Sequence, residues 1–573
     1  MRFSVRPKLS IILSLVTLLT VISGFMVVAI VNRGSGAHAA SSAGASNQVS
    51  GTLAAQTLKL GGQAPANAAS QTVYAAPAHF GTQTTAAAPS ASGAAGLSAL
   101  KSAPTLLHNF NGLSGLDTTT IAGVRVHPPD QGLCVGHDAS IAGNPEVEFE
   151  MINLVVAEYN TSGVVQTSAL MPSGKESLNA FFNEPGVPFS GGEQTSDPRC
   201  IYDKPTDTFF FSVLAFCFPG AGCTTALESH IDLIVYNATS HAAKEYKFDT
   251  TFPTHPGCPC LGDQPKIGVD NNAIYLSVDE FENLAAGGTI EDGADVFILS
   301  KPQLVAQAAV NFTAFTNLAI SGIPVTSLQP AISTSPTDTE FLANSFPSLA
   351  DGSNNPIDNR LGFWEVTGDS NVTTGNFSAV ILAGEVISSE SYAFPVNAIS
   401  TGSGARRSAA FLNPDDDRLQ TCQFVSGDTW CALSTAINIK NDSATRDGVA
   451  WFKLSTTGHI AAQGYVASIG NYLIYPAIVH SASGSTGIVF TLTSGSINPS
   501  AAYVFASSGT AFGGVHIAAR GASPSTDGNA RWGDYSFAVL DPNGKDLWMA
   551  TEYVPRGFTD PIINYGTRVF DVA

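Results

Sequence analysis

Short apolar runs bounded by turn residues recur along residues 105–573, and most come in pairs. RCIYD (199–203) leads through a KPTD turn into TFFFSVL (208–214). QPKIGVD (264–270) leads through Asn271-Asn272 into AIYLSV (273–278). YSFAVLD (535–541) leads through PNGKD into LWMATEY (547–553). Runs of this length, rich in aromatic and β-branched residues and closed by Gly, Pro, Asn or Asp, predict strands in hairpins. EFLANS, TWCALS and GIVFTL supply matching second strands. IDLIVYN, DVFILS, RLGFWEV, GVAWFKL and AAYVFAS supply further strands after them.

The pairs open at Asp130, Asp197, Asp263, Gln329, Arg418, Tyr475 and Asp534, at intervals of 67, 66, 66, 89, 57 and 59 residues. A supersecondary unit repeated at such a period cannot bury its own apolar face and stacks on its copies. About four strands in each of seven copies predict an all-β fold, a seven-bladed β-propeller. Two β-sandwich domains do not explain a common opening motif at this spacing. The long fourth interval reads as an insertion between about Asp369 and Pro414. LLHNF, beginning at Leu106, is a candidate to complete the last repeat beside RVFDV near the C-terminus.

The first residues change this picture at one end. Arg2, Arg6 and Lys8 precede an uncharged run of 23 residues, Leu9 to Val31, followed by Arg33 and Ala37-His38-Ala39. Residues 1–33 therefore read as a signal peptide or a signal-anchor transmembrane helix, and the length of the run favours the anchor. Residues 34–104, made largely of Ala, Ser, Gly and Thr, read as a disordered linker. The expected location is extracellular or at the cell surface, with the membrane touched through the N-terminal segment only. Removing the four N-terminal basic residues from the net charge of −20 leaves −24 on the remainder. Such a field repels a phosphate backbone and argues against nucleic acid as a partner.

Eight cysteines in an exported chain predict disulfides. Cys422 and Cys431 flank a hairpin, Cys217 and Cys223 bracket a tight loop, and Cys134 and Cys200 occupy similar places in neighbouring repeats. Cys258-Pro259-Cys260 is neither a C-x-x-C redox motif nor by itself a zinc signature.

In a propeller the opening residues line one mouth of the central channel. Asp130, Asp197, Asp263 and Asp534 are candidate ligands for calcium, the one cofactor in view, or for an acid/base pair. A residue repeated in several copies is equally expected to latch each repeat by accepting backbone N–H groups. The irregular positions Arg418 and Tyr475, with Arg531, Trp532, Asp534 and Tyr535, are the candidate ligand-binding residues, because Arg and aromatic side chains together recognise sugars and carboxylates. Tyr535 and Glu552 are the candidate catalytic groups of a sialidase-like hydrolase, with Arg199, Arg418, Arg531 and Arg568 as arginines for an acidic sugar. The Asp-box of that class, S-x-D-x-G-x-x-W, is imperfect: Ser525, Asp527 and Trp532 fit, but Asn529 replaces its Gly. Serine-hydrolase, zincin, P-loop and dinucleotide motifs are lacking.

The stretches PPDQGLCVG (128–136), SDPRCIYD (196–203), GDQPKIGVDNNAIYLSVDEF (262–281), DDRLQTCQF (416–424) and RWGDYSFAVLDP (531–542) resemble uncharacterised bacterial exported β-propeller proteins, with a distant sialidase- and YVTN-like character. The resemblance implies fold and location and carries over no catalytic residue. The expectation is a monomeric propeller, not primarily an enzyme, that binds a carbohydrate or extracellular protein at one channel mouth. A glycoside hydrolase using the same mouth and a structural or adhesive surface protein are the alternatives.

Overall fold

The computed structural model describes residues 47–59, 72–74, 104–186, 193–217, 228–251, 258–282, 291–346, 357–400, 411–526, 531–558 and 563–573. The expected signal or anchor at 1–33 lies outside them. Among the described residues no helix is long and apolar enough to cross a membrane.

The strands pair into successive four-stranded antiparallel meanders, because each tight turn returns the chain beside the strand it has just left. Gly132–His137, Glu146–Ile152, Val155–Asn160 and Lys175–Ser177 form the first sheet. Gln194–Asp203, Thr208–Cys217, Glu228–Asn237 and Ala243–Asp249 form the second. The third, fourth, fifth and sixth open on Leu261–Val269, Gln329–Ser333, Leu419–Val425 and Tyr472–His480. In the last sheet, Phe537–Leu540, Leu547–Tyr553 and Gly566–Val572 are joined by Leu106–Ser114 from the other end of the array, antiparallel to Gly566–Val572.

Packing closes the array into a ring. One apolar cluster joins the first sheet to the second through Phe149, Phe209 and Phe211, and further clusters join each consecutive pair in turn. The remaining cluster joins the last sheet to the first through Phe110, Leu133, Val155, Trp548 and Val569. Sheets packed face to face around a closed ring, each with its opening strand innermost, make a propeller-type fold. The strands nearest the channel are buried on both faces, which is why they read as nearly continuous apolar runs.

Two expectations need correction. Ile381–Ala393, expected within an insertion, is the fourth strand of the fourth sheet, paired with Ile357–Thr367; its exposed face carries Ser and Glu, which obscured the strand pattern. Within the expected linker, Asn47–Leu53 extends the third sheet along Val310–Thr316. Polar alternation suffices there, since Gln48 and Ser50 bond Thr313 and Thr52 bonds Asn311. The paired backbone supplies what the apolar surface does not.

Disulfides join Cys134 to Cys200, Cys422 to Cys431 and Cys258 to Cys260. Cys217 is also disulfide-bonded, and Cys223 lies outside the described residues. Such bonds persist in oxidising compartments.

Candidate functional site

Four of the inner strands kink at or near their start. Asp130, Asp197, Gln264 and Tyr475 have φ of 48°, 54°, 49° and 54°. The ladder skips two residues between Ser196 and Arg199, Asp263 and Lys266, and Ile474 and Ala477. The proline in each of these bulges (Pro198, Pro265, Pro476) has no N–H, so it leaves no ladder donor unpaired. The bulge also corrects the sequence register. Asp263 pairs with Asp279 before the kink, so Gln264 is the counterpart of Asp197. Tyr535, two residues before the first laddered residue Phe537, occupies that place in the last sheet. Asp263 and Asp534 each stand one residue earlier than Asp130 and Asp197. Gly132 follows the first kink, and a Cβ there would meet the Pro198 carbonyl at 2.8 Å, so neighbouring inner strands approach closely at this level.

The sequence candidates do converge, but below the surface. Asp130, Asp197 and Asp534 each offer a carboxylate oxygen, all within 4.8 Å of one another. Asp130 accepts the Asp534 amide at 2.8 Å and the Asn153 side-chain N–H at 2.7 Å. The Asn153 carbonyl in turn accepts the Asp197 amide at 2.8 Å. Arg531 donates to Asp534 at 2.6 Å, and the Tyr535 hydroxyl donates to Asp197. The Arg199 guanidinium lies 3.4 Å from the Tyr535 ring centre and donates to the Pro265 carbonyl. Arg418 forks onto Asp416 at 2.7 and 2.6 Å and reaches Gln264. Tyr475 donates to the Asn413 carbonyl at 2.7 Å, and Trp532 to Thr491 at 3.2 Å. Glu552 accepts the Gly533 amide at 2.9 Å and faces His127 at 3.1 Å. All these nominated side chains are at most 7% exposed.

The electrostatics follow from that burial. Asp130 is pushed well above the usual carboxylate range by desolvation, then by Asp534 and Asp197. Asp534 is also raised by burial, against the pull of Arg531. Asp263 is pushed up to about 7 by burial and by Asp197. Burial raises the phenols of Tyr475 and Tyr535. Burial opposes the Arg531 charge, yet Asp534 holds it above its ordinary value. The oxygen cluster has donor chemistry that suits calcium, while Arg531, Asn153 and Tyr535 each donate to one oxygen of Asp534, Asp130 and Asp197 respectively, and Asp534 Oδ1 has no hydrogen-bond partner among the described residues. Sequence reasoning missed Asn153, His127 and Asp416. Only the Asp415-Asp416-Asp417 run beside Arg418 was a visible signal; the other two are brought in by tertiary contact.

The inner strands run from this network to an open cavity, about six residues or ~20 Å along. A smaller cavity of about 20 Å³, lined by Arg199, Lys266, Gln329 and Gln420, shares Ile332, Thr421 and Cys422 with it. The open cavity has a volume of about 240 Å³, and every sheet contributes to its wall. Val135, Ile201, Val269, Ile332, Ile478 and Val539 make an apolar throat; Tyr202, Asp203, Lys204, Asp270, Asn271 and Lys301 make a polar rim. Lys301 is paired with Asp203 at 3.3 Å, and Lys204 donates to the Pro542 carbonyl at 2.7 Å. The hydroxyls of Ser333 and Thr421 line this cavity and have no hydrogen-bond partner among the described residues.

No family model and no curated protein matches the chain. Solved structures similar to it include a subtype N10 neuraminidase-like protein of A/little yellow-shouldered bat/Guatemala/060/2010, at 8% identity and a TM-score of 0.31 over 63% of this chain and 90% of that one. A Trypanosoma rangeli sialidase matches at 9% and 0.31, over 67% of this chain and 55% of its own. An endo-arabinase from Bacteroides thetaiotaomicron VPI-5482 matches at 12% and 0.28, over 68% and 96%. Likeness at this level says nothing about activity.

Proposed function

We propose that this chain is an exported, seven-bladed propeller, tethered by residues 1–33 through a linker, that binds a carbohydrate in the cavity opposite the aspartate network. The observation that supports it is the pair of unpartnered hydroxyls, Ser333 and Thr421, in a cavity with an apolar throat. A buried hydroxyl without a partner costs about 1–3 kcal/mol, which a ligand hydroxyl offsets. The aliphatic wall suits the C–H face of one sugar ring, and Asn271 and Asp270 at the rim suit its hydroxyls. Arg531, Trp532 and Tyr535 then act as scaffold.

Glycan-array binding of the full chain tests this. Thr421→Val and Asn271→Ala are expected to weaken the hits at least tenfold without lowering the melting temperature. Hits unchanged by both substitutions would sink the reading.

A second reading, glycoside hydrolysis, is favoured by one observation: Arg199, Arg531, Tyr535 and three aspartates gather at one place. It requires that buried place to open. Turnover of a fluorogenic glycoside, abolished in Tyr535→Phe and Glu552→Gln, would establish it; silence across a broad panel would remove it.

A further inference from the structure

The second sheet carries a separate cluster of polar side chains away from the channel. His230 and Asp232 alternate along Glu228–Asn237, so both project from one face. Glu245 and Lys247 stand on the same face of Ala243–Asp249, where Lys247 is directly opposite Asp232. Glu184 and Glu193, from the connection out of the first sheet, come against this face. Glu184, His230 and Asp232 each offer a ligand atom, all within 4.8 Å of one another. His230 Nδ1 lies 2.7 Å from Asp232 Oδ1, and its Nε2 lies 3.3 Å from Glu193 Oε2. Lys247 reaches Glu184 and lies 3.4 Å from Asp232 Oδ2.

We propose that Glu184, His230 and Asp232 form a site for one divalent transition-metal ion, with Glu193 as the positioning carboxylate behind the imidazole. An imidazole nitrogen with two carboxylate oxygens suits zinc or manganese, whereas calcium and magnesium take oxygen alone. A carboxylate on the far nitrogen of a ligating histidine fixes the tautomer and orientation of the ring, and Glu193 is placed to do so. Independent of the cluster's charge, Glu184 Oε2 and Glu245 Oε1 have no hydrogen-bond partner among the described residues, in side chains only 6% and 1% exposed. A buried carboxylate oxygen in this state is satisfied by a proton or by a cation, and at Glu184 the adjoining His230 nitrogen and Asp232 oxygen supply further ligand atoms for a cation. Four carboxylates face one lysine and one histidine. The Lys247 side chain is 27% exposed, so its flexible stem can withdraw its ammonium to water when a dication arrives. His230 and Glu193, each 15% exposed, leave a path of entry from solvent.

Calorimetric titration of the chelator-treated full chain with zinc chloride tests the site. One equivalent is expected to bind, at least tenfold more weakly in His230→Gln and Glu184→Gln, and no more weakly in Lys247→Met. The absence of one-equivalent binding, or wild-type affinity in His230→Gln, would overturn the proposal. Should those variants fold poorly, X-ray absorption of the zinc-loaded wild type decides. One imidazole with oxygen ligands at about 2.0–2.1 Å is expected; sulfur ligation or an imidazole-free shell would overturn it.

Discussion

The backbone amide of Asp534 donates to the carboxylate of Asp130 at 2.8 Å, joining residues 404 positions apart where the last sheet meets the first. The contact makes Asp130 a fastener of the ring rather than a group presented to solvent. It also sets a measurable cost. Asp130→Ala strands two buried donors, the Asp534 amide and the Asn153 side chain, and is expected to lose about 2–5 kcal/mol in urea unfolding. Asn153→Ala, which removes the bridge to Asp197, should couple non-additively with it in a double-mutant cycle. Additive losses would show that the two side chains do not act as one network.

The same joint contains an acidic seam. Glu146, Glu148 and Glu150 alternate along one strand of the first sheet and face the last sheet. Burial, then Glu146, pushes Glu148 up to about 10; burial and Asp541 push Glu146 to about 8; burial pushes Glu150 to about 7. All exceed the ordinary value of 4.5, so the folded state keeps protons that the unfolded chain releases. The stability these groups allow is therefore full below about pH 4.5 and declines as pH rises towards each raised value. Unfolding free energy measured from pH 5 to 9 should fall with pH, and Glu148→Gln should flatten that slope. An unchanged slope in the variant would refute the assignment.

Asn47–Leu53 covers the outer edge of the third sheet. A chain beginning at residue 105 loses this strand and bares the backbone of Val310–Thr316 as an open edge. Concentration-dependent association in light scattering is expected for the truncated chain and not for one beginning at residue 40. Equal behaviour would mean that the edge needs no cover.

The disulfides should differ in worth. Cys134–Cys200 spans 66 residues and Cys422–Cys431 spans 9. Loop-closure entropy gives about 4 and about 3 kcal/mol respectively. Paired Cys→Ser variants unfolded in guanidinium should reproduce that order, and a reversed order would show native packing outweighing chain entropy.

What could be read from the chain alone were the relationships made locally. Turn residues such as Asn271-Asn272 and PNGKD set hairpins whose partners are a few residues away, so strand pairs, repeat and all-β class were legible. The Cys422–Cys431 pair was visible for the same reason, lying across one hairpin. Register was not: the bulge at Gln264 displaces Asp263 by one position, and a one-residue slip in a strand reverses its face. Nor was exposure, because what covers Tyr535 and Arg531 comes from residues hundreds of positions away, such as Asp197 and Asp130. The tertiary structure alone decided that the repeated aspartates are buried and that Asp130 fastens the ring, that the open cavity lies at the far end of the same strands, and that Glu184 meets His230. The physical reason is that hairpin geometry is encoded locally, whereas burial and side-chain convergence depend on how the ring closes.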